Sequence, residues 1–190
     1  MSLTRTLLLA GTAGAVLFVV VFLVEGALRP GYDPARDPVS ALALGPRGWI
    51  QTANFLVTGA LMGAFAAGVH RATGAGWAAL AAFAAAVVAS GLFAMDRPGD
   101  GTWQGALHDW AGLVVFSALP AAALVLSRRL GEDTAWLGAV SVAAGIACIA
   151  LFIWFAVAHE GGSATAGLIQ RACIANGWGW IAVTGVVLAR

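Results

Sequence analysis

Lysine is absent from this chain, and charge of either sign is scarce. All ten basic residues are arginine, nine acids oppose them, and the formal net charge is +1. Such a balance offers no basic face for nucleic acid. Cysteine is almost missing too. Cys148 and Cys173 both lie inside apolar runs, with no C-x-x-C or Cys/His spacing, so they read as small buried hydrophobes. The H-E-x-x-H pattern of a helix-borne metal site does not occur. Nothing in the sequence specifies a cofactor.

What the chain has instead is apolar length. Hydrophobic residues make up 61% and charged residues 10%, against about 45–50% and about 25% in soluble domains. Six apolar runs are long enough to span a bilayer: about 7–27, 48–69, 76–95, 106–127, 135–158 and 167–188. Each approaches the ~20 residues needed to cross ~30 Å of hydrocarbon. Continuous runs imply helices, whose backbone bonds close within the segment. The reading is an all-α, polytopic membrane protein, a six-transmembrane-helix bundle forming one domain over 1–190. The first run is longer than the apolar core of a signal peptide and reads as an uncleaved helix.

Tryptophan marks the helix starts. Trp49, Trp77, Trp103, Trp110 and Trp136 fit the headgroup level, while Trp154, Trp178 and Trp180 lie deeper and are expected to pack. Gly59 and Gly63 form a G-x-x-x-G that permits close helix approach. Pro120 sits mid-helix in the fourth run and should kink it. In the first connection, Asp37 followed by Pro38 reads as an N-cap with proline at the first helical position, opening a short interfacial helix over "VSALALG" that Gly45-Pro46 ends.

Six alternating helices put connections one, three and five on one side. The acids sort strongly: Glu25, Asp33, Asp37, Asp96, Asp100, Asp109 and Glu160 fall there, and only Glu132 and Asp133 fall opposite. His108, His159, Gln51, Gln104, Gln170 and Arg171 join the same layer. Gln51, Asn54 and Thr58 form an i, i+3, i+7 stripe that should face the interior, because polar atoms facing lipid are costly. Arginines divide evenly between the two sides, so the positive-inside rule is tied. The Arg128-Arg129 pair and the short Arg5-bearing tail favour cytoplasmic termini in the cell (plasma or inner) membrane, with the polar layer outside.

His108 and Asp109, adjacent in "GTWQGALHDWAGL", point about 100° apart on a helix and cannot face one ligand together. His108 is therefore a candidate base or ligand, with Asp96, His159 or Glu160 as partner, and Asp109 a candidate cap. Gln104 precedes His108 by one turn. A metal would need Asp96, His108 and His159 to converge. Arg171, about a turn inside the sixth helix, either pairs with Glu160 or Asp96 or binds a lipid phosphate.

The stretches "YDPARDPVSALALGPRGWIQTANFLVTG" and "FAMDRPGDGTWQGALHDWAG" resemble the bacterial membrane proteins grouped as domain of unknown function 998. That family's D-P-x-S-x-L-x-x-G segment maps onto Asp37, Pro38, Ser40, Leu42 and Gly45. Its loop leading to G-x-x-H maps onto Asp96, Gly105 and His108. The resemblance runs over nearly the whole chain and implies a six-helix domain in the bacterial membrane, without an activity. A fainter likeness is to six-helix proteins of the Frag1/DRAM type.

Three functions follow as expectations. The first is binding of a lipid or small amphiphile in a polar-mouthed pocket, with Arg171, Gln51, Asn54, His159, Glu160 and Gln104 as ligand-binding residues. The second is an intramembrane hydrolase or transferase using His108 with Asp96 as catalytic residues. The third is a non-enzymatic partner subunit of a membrane complex.

Overall fold

Ser2 accepts the backbone N–H of Arg5 at 3.3 Å and starts the first helix, α1, Leu3–Leu28. A computed structural model describes residues 1–97 and 99–190. Five further helices follow: α2, Gly48–Thr73; α3, Trp77–Leu92; α4, Trp103–Asp133; α5, Ala135–Glu160; and α6, Ala166–Leu188. No strand occurs among the described residues. Five of the helices are long and apolar enough to cross a membrane, and α3, with 16 residues, is shorter.

Sequential helices pack side by side, and α6 closes on α1, so the six form a ring. Its interior is filled by Phe18, Phe83, Leu119, Trp178 and Ile181, all buried. Trp178 stacks on Phe18 at 5.2 Å and meets Phe83 edge-on at 5.0 Å. Outward faces are apolar as well, with Val16, Val20, Ile146 and Ile153 exposed. An apolar outside around a filled interior is what a helical bundle in lipid requires. Backbones approach most closely where glycine allows it. A Cβ on Gly138 of α5 would lie 2.7 Å from Gly131 Cα of α4.

Several local expectations change. Helix α3 ends at Leu92 instead of about 95. Its last N–H bond runs from Phe93 to Ala89. Phe93 itself turns extended, leaving its carbonyl to His108 at 2.8 Å. Helix α4 begins at Trp103, three residues earlier than the apolar run, because Thr102 caps it by accepting Gly105 N–H at 3.1 Å. Asp37 is not an N-cap. Its Oδ2 accepts Asp33 N–H at 2.8 Å, and the expected interfacial helix is a five-residue 3-10 turn, Val39–Ala43, begun by Pro38. Trp154 does not pack inside; it is 61% exposed on the outer face of α5, whereas Trp178 and Trp180 are buried. Of the G-x-x-x-G pair, Gly59 packs against Val88 of α3 and Gly63 faces open space.

Candidate functional site: a graded cleft beneath a tethered loop

The long first connection is pinned to the bundle by backbone carbonyls. Glu25, near the end of α1 and 3% exposed, accepts from Arg29 Nε at 2.9 Å and from Arg47 at 2.6 Å. Arg29 then donates to the carbonyls of Leu42 at 2.9 Å and Leu44 at 2.8 Å. A buried carboxylate with two guanidiniums satisfied this way is tolerated because every charged end has a partner. From α6, Leu168 N–H bonds Ala35 O at 3.0 Å. Arg171 donates to Asp37 O and Gly167 O, each at 2.9 Å, and to the Tyr32 hydroxyl. Burial pushes the Tyr32 phenol up in pKa against the pull of Arg171, so it stays protonated and donates to Pro38 O at 3.1 Å.

Arg171 is therefore a strut. It pairs with neither Glu160 nor Asp96, and its guanidinium is held over the Tyr32 ring at 5.5 Å from the centroid. Gln51, Asn54 and Thr58 are buried. Asn54 Nδ2 bridges Phe18 O and Gln51 Oε1, both at 3.2 Å, so this stripe ties α2 to α1. Gln104 and Glu160 are exposed, as is Asp109. One turn separates Gln104 from His108, but only His108 turns inward.

Under the tethered loop lies an open groove of about 710 Å³. Connections one, three and five all contribute to it, through Arg36, Asp37, Asp96, Arg97, Gly162 and Ser163. Asp96 is fixed in its wall by Thr102, whose hydroxyl and N–H donate to it at 2.6 and 2.8 Å. Those two bonds hold the Asp96 carboxyl below its ordinary pKa. Pro38, Met95 and His159 line both this groove and a second cleft of about 190 Å³ between α4 and α5. Phe116 and Phe152, stacked at 5.0 Å, line that cleft and also an apolar trough of about 290 Å³ farther along the same two helices. A small branch of about 40 Å³ leads inward from the cleft, past His108 and Gln170 toward Trp178.

His108 sits five residues into α4, roughly 8 Å along it at 1.5 Å per residue. Its ring is 6% exposed. The Phe93 carbonyl can only accept, so Nδ1 carries the proton in that 2.8 Å bond. In the neutral ring Nε2 then presents a lone pair. Asp96 does not orient this imidazole; Phe93 does. Among the described residues no three His, Cys, Asp or Glu groups come together to hold a metal ion. The alternative triad of Asp96, His108 and His159 is thus not assembled, since Thr102 occupies the first and Phe93 the second.

Ser40 and Gln170 line both the cleft and its inner branch. Sequence reasoning did not single them out as site residues. Gln170 was visible only as a member of the polar layer, and Ser40 only as part of the D-P-x-S pattern. Nothing in the spacing shows that the 3-10 turn folds back onto α6.

A ring of apolar helices with charged connections gathered at one end defines the class: a multi-pass helical membrane protein with a polar-mouthed cleft. Within that class the chain belongs to the family described as Protein of unknown function (DUF998), whose family model matches residues 12–187. No curated protein and no solved structure matches it.

Proposed function

We propose that the protein binds a lipid or small amphiphile, with the polar end in the groove beneath the first connection and the apolar end between α4 and α5. One observation carries the reading. The groove, the cleft and the trough are joined through shared wall residues, and their linings grade from Arg36, Asp96 and Arg97 to Phe116, Phe152 and Ile149. The groove's volume of about 710 Å³ lies within the range of about 300–1,000 Å³ common for small-molecule sites. Arg36 and Arg97 are exposed at the groove and replace Arg171 as the cations that meet a headgroup. We place the protein in a bacterial cell membrane, with cytoplasmic termini and the groove outside, on the strength of the Arg128-Arg129 pair.

Gly112 supplies the test. It lines the cleft, and no atom lies within 4 Å of where its Cβ would be. Gly112→Leu should fill the cleft and leave the helices in place. Wild-type protein purified in mild detergent should carry a tightly held amphiphile by native mass spectrometry, and Gly112→Leu should lose it. Equal loading of both proteins would refute the reading.

The free Nε2 of His108 favours a second reading, a hydrolase or transferase with His108 as general base. It predicts turnover of an acyl ester in proteoliposomes. His108→Asn should abolish that turnover while the fold is kept.

A further inference from the structure

Gln170 and His108 line the same two spaces, and each has one hydrogen-bonding end already engaged by backbone. Val39 N–H can only donate, and it does so to Gln170 Oε1 at 2.7 Å. That bond fixes the amide, so the Gln170 NH2 is a donor with no partner among the described residues. The Phe93 carbonyl fixes His108 in the same way, and its neutral Nε2 is an acceptor. The two side chains are 5% and 6% exposed, and both line the cleft and its inner branch. Trp178, which also lines the inner branch, has an enclosed Nε1–H without a partner among the described residues. No arginine lines either space.

Buried polar groups in native proteins find partners. The group that completes this set must donate once, to His108, and accept from Gln170, with a further lone pair available for Trp178. A hydroxyl does this. An ether or ester oxygen only accepts and leaves the His108 lone pair unmet. A phosphate or ionised carboxylate also only accepts, and no arginine lines either space to meet its charge. An ammonium only donates. The inner branch, about 40 Å³, exceeds the about 10–15 Å³ of such space that one water needs, so a hydroxyl has room there.

We propose that the cleft takes a neutral amphiphile through an unhindered hydroxyl seated between His108 Nε2 and the Gln170 amide, with its chain running outward between α4 and α5. The proposal rests on the amphiphile-binding reading above for the chain's place between α4 and α5, and it seats the polar end in the inner branch instead of the groove.

The test compares dodecanol with methyl undecyl ether, an isostere that lacks the donor. The full chain in zwitterionic-lipid nanodiscs is titrated with radiolabelled dodecanol, and the ether competes. The alcohol should bind at least about tenfold more tightly than the ether, as one tuned hydrogen-bonding group can discriminate. His108→Asn keeps a donor near Phe93, and its shorter amide leaves no acceptor at the Nε2 position. Gln170→Glu keeps an acceptor for Val39 N–H and removes the donor. Both should erase the preference. If alcohol and ether bind wild type equally, yet Gly112→Leu blocks both, the hydroxyl assignment fails and the amphiphile reading stands. If the preference survives in both variants, the assignment to these residues fails. If neither probe binds, only water occupies the branch and both proposals fall. Should a variant not fold, the wild-type comparison alone decides.

Discussion

His108 Nδ1 lies 2.8 Å from the carbonyl oxygen of Phe93, the residue that follows the last residue of α3. One side chain thus caps a neighbouring helix and sets its own tautomer. Removing it should leave the half-buried Phe93 carbonyl without its donor, at a cost of up to about 1–3 kcal/mol. His108→Ala should lower the thermal midpoint in detergent, and His108→Asn, which offers an amide near the Nδ1 position, should recover most of the loss. Equal stability of wild type and His108→Ala would show that the bond does not matter to the fold.

Glu25 anchors the first connection through Arg29 and Arg47. Glu25→Leu leaves Arg29 without its carboxylate in a site where that side chain is only 13% exposed. Breaking a buried pair from one side costs about 3–5 kcal/mol. Adding Arg29→Met should return part of that, since the second change removes the orphaned charge. Unfolding titrations of the single and double variants measure both effects.

Much of this architecture can be read from the sequence, and the limit is instructive. Apolar run length finds all six helices, because a span in lipid must satisfy its own backbone. The sorting of acids by connection correctly gathers Asp37 and Asp96 to one end, since alternation of direction is a topological consequence of six helices. The residues that failed are those whose partner is backbone. Arg171 meets Asp37 O, His108 meets Phe93 O, and Gln170 meets Val39 N–H. A carbonyl leaves no trace in composition or spacing, so reasoning over side chains offered Arg171 a carboxylate or a lipid phosphate and offered His108 a carboxylate or His159. Trp154 misled for a related reason. Depth along α5 is legible, but which face meets lipid depends on neighbours.

Gly167 should tolerate no side chain. A Cβ there would lie 2.6, 2.7 and 2.9 Å from the carbonyl oxygens of Asp37, Pro34 and Ala35. These are backbone atoms of the tethered loop and cannot rotate away. Gly167→Ala should destabilise by about 1–3 kcal/mol, the usual cost of overpacking. Gly63→Ala, into open space within α2, should be neutral or stabilising by up to about 1 kcal/mol through helix propensity. Paired thermal unfolding curves check the contrast.

The Asp96–Thr102 contact makes the loop between α3 and α4 acid-sensitive. The two Thr102 donors lower the folded-state pKa of Asp96. Their contribution is therefore present above the ordinary carboxylate value of about 3.9 and is lost as pH falls through the lowered one. Protection of the Thr102 amide against hydrogen exchange should drop on acidification. In Thr102→Val the hydroxyl bond is gone, so the drop should come at higher pH. An unchanged profile in the variant would contradict the assignment.

The most direct test of the central claim is to map where an amphiphile sits. A diazirine-bearing fatty alcohol, photolysed in nanodiscs containing the protein, should label Leu113, Phe116, Phe152 and Phe155, the cleft wall between α4 and α5, and Gly112→Leu should suppress those adducts. Labelling spread over the outer faces, at Val16, Val20 and Val57 as much as in the cleft and indifferent to Gly112→Leu, would mean that the bundle meets lipid only as solvent.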